Sequence, residues 1–116
     1  MHEFQNKIRQ ERFKLVKILT DIKSEGKSVV GYGAPAKATT LLHYFGIADM
    51  IDYIVDDSPL KVGRYMPGNH IPIKEPKVIY EEKPDYIVIL AWNFAESIIK
   101  KLHENGYRGR CIVPFK

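Results

Sequence analysis

The sequence predicts a small three-layer α/β/α domain on a mostly parallel sheet. Three features predict it. Short β-branched or apolar runs (Val29-Val30, then residues 50–55, then Tyr86-Ile87-Val88-Ile89-Leu90) alternate with segments of helical apolar spacing. Apart from Asp52 the runs are apolar throughout, as in strands covered on both faces, rather than alternating. A glycine-rich turn joins the first run directly to a helix-forming segment, as a βα unit requires.

Composition bounds the rest. The chain has 116 residues, 45% hydrophobic and 28% charged, which fits one ordinary globular domain with its own core. Residues 1–26 are expected to form an amphipathic helix and residues 27–116 the α/β body. No apolar run approaches the roughly 18 residues a membrane helix needs, and the start of the chain does not read as a secretory signal. The lone Cys111 excludes an internal disulfide and a Cys-based zinc site, so no metal and a cytoplasmic location are expected. The net charge of +4 comes from scattered residues, which argues against nucleic acid and is compatible with a small phosphorylated ligand.

Taken in order, Phe4, Ile8, Leu15, Leu19 and Ile22 recur at steps of three, four and seven, the mark of an amphipathic helix over 4–25 that Gly26 ends. Residues 28–32 read as the first strand and 35–44 as the first helix, closed near Gly46. Residues 50–55 read as the second strand. Residues 57–76 hold four of the seven prolines and read as a long ordered loop, with Ile71-Pro72-Ile73 as a short edge strand. Residues 78–82 form a weak helical turn and 86–90 a buried strand. Residues 93–105 form a helix with Phe94, Ile98, Ile99 and Leu102 inward and Lys100 and Lys101 outward, and 110–113 make the last strand. The result is a Rossmann-like sheet.

The candidate chemistry lies at the strand ends. Gly31-x-Gly33-x-x-Ala36 is the Gly/Ala form of the dinucleotide fingerprint. In it Gly31 permits a sharp turn, Gly33 permits close approach of an anion, and Ala36 permits close helix packing. Tyr32, Ala34 and Pro35 complete the turn, Pro35 suits a first helical turn, and Lys37 adds a cation near a helix start that favours phosphate. Asp56 falls about 20 residues beyond Ala36, the offset of an acid that meets a ribose. Asp56-Asp57-Ser58 equally fits an ordinary strand-ending turn. Adjacent in a strand, the two acids would face opposite sides and make no dyad.

Lys61 and Arg64 are candidates to neutralise a diphosphate, and His70 is the histidine of the irregular region. Trp92-Asn93 follows a buried strand, where the indole either stacks on a base or sugar or covers the core while Asn93 caps the next helix. His43 and His103 read as structural. No catalytic triad order, metal-ligand spacing or Walker lysine pattern is present.

Three stretches in order, VVGYGAPAKATTLLHYFGI, IDYIVDDSPLKVGRYMPGNHIPI and ILAWNFAESI, resemble the C-terminal domain of S-adenosylmethionine-dependent sugar C-methyltransferases. Those enzymes act on dTDP-linked deoxysugars, and the resemblance runs from about Glu11 to Val113. It implies an N-terminal zinc-binding region, a central methyl-donor domain and this domain, which helps hold the nucleotide sugar. It implies proton removal beside the sugar's keto group and methyl transfer to the resulting carbanion, with the acid–base residues in the central domain. No cofactor is then expected on this chain, and a methyl-donor domain in cis or in trans is its expected partner, whether the chain is a fragment or a stand-alone relative. The binding candidates are residues 31–37, 56–61, 64–70 and 92–93. Two other classes stand beside this reading, an independent NAD(H)-binding oxidoreductase domain and an interaction module.

Overall fold

Strand β1, Val29–Tyr32, is buried at all four positions and occupies the centre of a five-stranded parallel sheet. The computed structural model describes residues 2–66, 68 and 70–115, with the side chains of residues 2–5, 36 and 37 outside that description, including Phe4, Ala36 and Lys37. The helices are α1 (His2–Ser24), α2 (Ala36–Phe45), α3 (Lys77–Glu82) and α4 (Ala95–Glu104). The remaining strands are β2 (Ile54–Val55), β3 (Ile73–Lys74), β4 (Tyr86–Ile89) and β5 (Arg110–Ile112). The strand order is β3-β2-β1-β4-β5, with every pairing parallel. This is the doubly wound arrangement, and the order reverses beside β1.

Side-chain alternation builds the three layers. Val29, Ile54 and Val88 face one side and join Leu15, Leu19 and Ile22 of α1 and Ala38, Leu42 and Phe45 of α2. Val30, Val55, Ile87 and Ile89 face the other side and meet Ile79 of α3 and Ile98 and Leu102 of α4. At the amino ends of the strands, Asp85 accepts from the Ser28 backbone N–H at 2.9 Å while the Ser28 hydroxyl accepts from the Asp85 N–H at 2.9 Å.

Several elements differ from the sequence reading. Regular pairing of β2 is confined to Ile54–Val55, because Ala48–Met50 wind into a 3₁₀ turn before it. The backbone nevertheless follows β1 earlier, through Asp52 N–H to Val29 O at 2.8 Å and Gly31 N–H to Tyr53 O at 2.9 Å. The long loop folds back on itself as an arm. Tyr65 and Pro72 bridge antiparallel, Ile73 N–H bonds Arg64 O at 2.8 Å, and Met66 and Ile71 are buried beneath. The edge strand begins at Ile73 rather than Ile71, since Pro72 has no N–H for the ladder. Trp92–Phe94 form a 3₁₀ turn, which delays α4 to Ala95 and turns Phe94 outward to 65% exposure instead of inward.

Packing requires glycine at both Gly31 and Gly33. Gly31 lies inside β1, where a Cβ would stand 2.7 Å from Leu90 Cδ1 and 3.1 Å from Ile54 Cγ1. Gly33 has φ +93°, and its Cβ would meet the Ala91 Cβ at 2.8 Å. Ala91 at the β4 exit thus stands on the side of Gly33 that a Cβ would take. Gly33→Ala combines left-handed strain with overpacking and should lower stability by about 2 kcal/mol or more. Chemical denaturation of the two proteins measures this.

Burial raises the pKa of the Tyr53 and Tyr107 hydroxyls, both nearly inaccessible. The folded state thus holds these protons more tightly than the unfolded chain. The contribution of these two groups should be constant up to about pH 10 and fall above it, by about 1.4 kcal/mol per pH unit for each. Burial of the Cys111 thiol should start a similar loss about a unit lower. Melting temperatures recorded from pH 7 to 11 test the direction.

Candidate functional site

Open parallel sheets place ligands beyond the carboxyl ends of their strands, where the order reverses. In this protein that place is a groove of ≈ 370 Å³ between the loop after β1, the exit of β2 and the start of α4. Its floor is set by Gly33, whose N–H bonds Val55 O at 2.7 Å, and by Leu90 N–H, which bonds Tyr32 O at 2.9 Å. Three strands are thereby tied together immediately before the chain turns away.

Asp56 fixes the glycine loop. One carboxylate oxygen accepts from the Ala34 N–H at 2.7 Å and the other from the Ser58 N–H at 2.8 Å. Lys61 reaches over from the arm, donating to Ala34 O at 2.9 Å with its ammonium 3.9 Å from Asp56 Oδ2. The Asp56 side chain is only 13% exposed. Its position is that of the ribose-binding acid, but its acceptors are turned back into the protein. Pro35 precedes α2 in extended conformation and provides no side-chain cap, so the helix's first N–H groups are not bonded by one.

Asp57 points the opposite way from Asp56, as neighbours on an extended chain do. It accepts from the Tyr32 hydroxyl at 3.1 Å and from the Lys101 ammonium at 2.9 and 3.0 Å. The ammonium also lies 5.5 Å from the Tyr32 ring centroid. The Tyr32 hydroxyl beside it, together with Asp57, raises the Lys101 pKa against the effect of burial, so the ammonium stays charged. Burial raises the Tyr32 pKa, partly offset by Lys101.

The groove therefore brings together Tyr32, Gly33, Ala34, Pro35, Asp56, Asp57 and Lys61 from the sequence candidates, with Ser58 bound behind Asp56. Arg64 and His70 are exposed on the arm and do not line it. Trp92 and Asn93 do not line it either. The indole packs against Phe115, with ring centroids 5.1 Å apart, and Asn93 is exposed in the 3₁₀ turn while α4 begins without a side-chain cap. The side chains of Ala36 and Lys37 lie outside the described residues.

Sequence reasoning missed Phe94 and Lys101 as groove residues. Lys101 sits three positions after Ile98 and one before Leu102, both buried. That spacing places it at the margin of the apolar face rather than opposite it, and was the available signal. Among the described residues, no group of three or more His, Cys, Asp or Glu is arranged to hold a metal ion. No helix among them is long and apolar enough to cross a membrane.

Sheet order, layers and a groove at the switch point define a Rossmann-like α/β domain. The chain belongs to the C-methyltransferase C-terminal domain family, whose model matches residues 1–115. It is 39% identical over 116 residues to the C-methyltransferase NovU of Streptomyces niveus, a match covering 97% of this chain and 27% of that protein. The chain thus spans about a quarter of the length of that curated relative.

Removing the Asp56 carboxylate leaves two backbone N–H groups without their acceptors. Asp56→Ala should therefore cost about 2 kcal/mol or more of stability, read from urea denaturation.

Proposed function

We propose that this domain holds a nucleotide-linked sugar, of the dTDP-keto-deoxysugar class, for C-methylation carried out with a separate methyl-donor domain. The observation that carries the reading is the groove at the carboxyl ends of β1, β2 and β4, with a loop braced by Asp56 and Lys61 and a helix start left without a side-chain cap. A helix start favours a diphosphate through its N–H groups and dipole. The groove is open to solvent along one side, which suits a domain that grips part of a ligand while the reacting carbon is presented elsewhere. Membership of a C-methyltransferase family supports the methylation context.

Neither S-adenosylmethionine nor a nicotinamide dinucleotide fits these residues well. Both need an acid after β2 open to ribose hydroxyls, and Asp56 is only 13% exposed with its oxygens turned to backbone N–H groups. This supports a methyl donor bound on another domain, in cis or in trans, and weakens the oxidoreductase alternative. A cytoplasmic setting accompanies the reading, as sugar nucleotides and the methyl donor are made and used there.

Calorimetric titration separates the alternatives. The chain should bind dTDP-glucose saturably and neither NADH nor S-adenosylmethionine. Saturable NADH binding without dTDP-glucose binding would overturn the proposal in favour of the dehydrogenase class. With labelled S-adenosylmethionine and a dTDP-keto-deoxysugar, the chain alone should transfer no methyl group above background.

A further inference from the structure

Asp57 is the solvent-exposed carboxylate of this groove. Its side chain is 59% exposed and is gripped from the protein side by Tyr32 and Lys101. Asp56, by contrast, is 13% exposed with one backbone N–H on each oxygen. Lys101 contacts both Asp57 oxygens, at 2.9 and 3.0 Å, and the Tyr32 hydroxyl lies 3.1 and 3.4 Å from them, so further donors reach this carboxylate from its exposed side. An exposed ion pair contributes little to stability, so what the Lys101–Asp57–Tyr32 arrangement provides is orientation. It holds one carboxylate in one attitude at the groove wall, between the end of β1 and α4.

Charge decides what that carboxylate meets. Asp56, Asp57, Lys61 and Lys101 are two anions and two cations, paired within the groove. A phosphate placed at Asp57 would face a carboxylate whose one nearby ammonium is already engaged. Neutral hydroxyls donate to the carboxylate and accept from the ammonium, and so satisfy both. Phe94 stands on the same groove with 65% of its surface exposed. A large apolar face left in water beside an oriented carboxylate is suited to the C–H face of a sugar ring.

We propose that Asp57, oriented by Lys101 and Tyr32, binds a vicinal diol of the ligand, and that the ring carrying that diol lies against Phe94. This rests on the nucleotide-sugar reading and gives it a subsite. The diol has two sources, the hexose of a nucleotide sugar or the ribose of a ribonucleotide. The hexose is favoured, because dTDP carries no ribose diol.

The test titrates the wild-type chain and Asp57→Asn with dTDP, dTDP-glucose and UDP, with circular dichroism to confirm folding. Wild type should prefer dTDP-glucose to dTDP. Asp57→Asn should weaken dTDP-glucose about tenfold or more, the size of a lost charge-assisted hydrogen bond, and leave dTDP unchanged. A loss confined to UDP would support the subsite with ribose as the source of the diol. Affinities within twofold for all three ligands in folded Asp57→Asn would overturn the subsite while leaving the nucleotide-sugar reading intact. Wild-type silence toward all three would remove that reading and the subsite with it. Should Asp57→Asn fail to fold, Lys101→Gln keeps the carboxylate but frees its orientation, and must shrink the preference for dTDP-glucose over dTDP. An unchanged preference in Lys101→Gln would overturn the subsite. Phe94→Ala should lower the affinity for dTDP-glucose more than that for dTDP, and an equal effect on both would remove Phe94 from it.

Discussion

The contact between the Asp56 carboxylate and the Ala34 backbone N–H, at 2.7 Å, is the one on which the arrangement at the top of the sheet depends. It joins the loop leaving β1 to the exit of β2. The second Asp56 oxygen carries the constraint forward to Ser58, and Lys61 closes it from the arm through Ala34 O. Three chain segments with no regular secondary structure are thus held by one acid and one base. The apolar layers beneath supply most of the stability, but they leave the path of these segments undetermined.

Because Asp56 turns inward, Asp57 must turn outward, and the alternation of an extended chain becomes a division of labour. One carboxylate shapes the loop, and the other faces the groove with Tyr32 and Lys101. The same sequence pair in a freely rotating turn would provide neither. Gly33 belongs to the same economy of space. Its positive φ brings the loop over Ala91, so the exits of β1 and β4 meet side by side with only the Ala91 methyl between them.

Much of this was legible in the sequence. The apolar runs 86–90 and 50–55 and the spacing of Leu15, Leu19 and Ile22 suffice for an α/β/α sandwich, because burial on both faces leaves an unmistakable composition. The turn at Gly31–Gly33 and the acids after β2 locate the groove. The details that were not legible depend on neighbours distant in sequence. Gly33's packing partner is 58 positions away at Ala91, and the partner of Asp57 is Lys101, 44 positions away. Phe94 reads as inward at helical spacing, and only the 3₁₀ turn ahead of α4 reverses it. Trp92 after a strand reads equally as a ligand platform or as a cover for the core, and its ring packs against the core and Phe115.

That packing gives the indole a different use. Phe115, which stacks on Trp92 at 5.1 Å, also donates its backbone N–H to Glu11 of α1 at 2.8 Å, while its ring lies 6.1 Å from that of Phe45. The intrinsic fluorescence of the protein therefore comes from a junction where the carboxyl-terminal tail, the first helix and the second helix converge. Its emission is an optical gauge of whether that tail is seated. A shift in the spectrum on mixing with another domain would report movement at the junction.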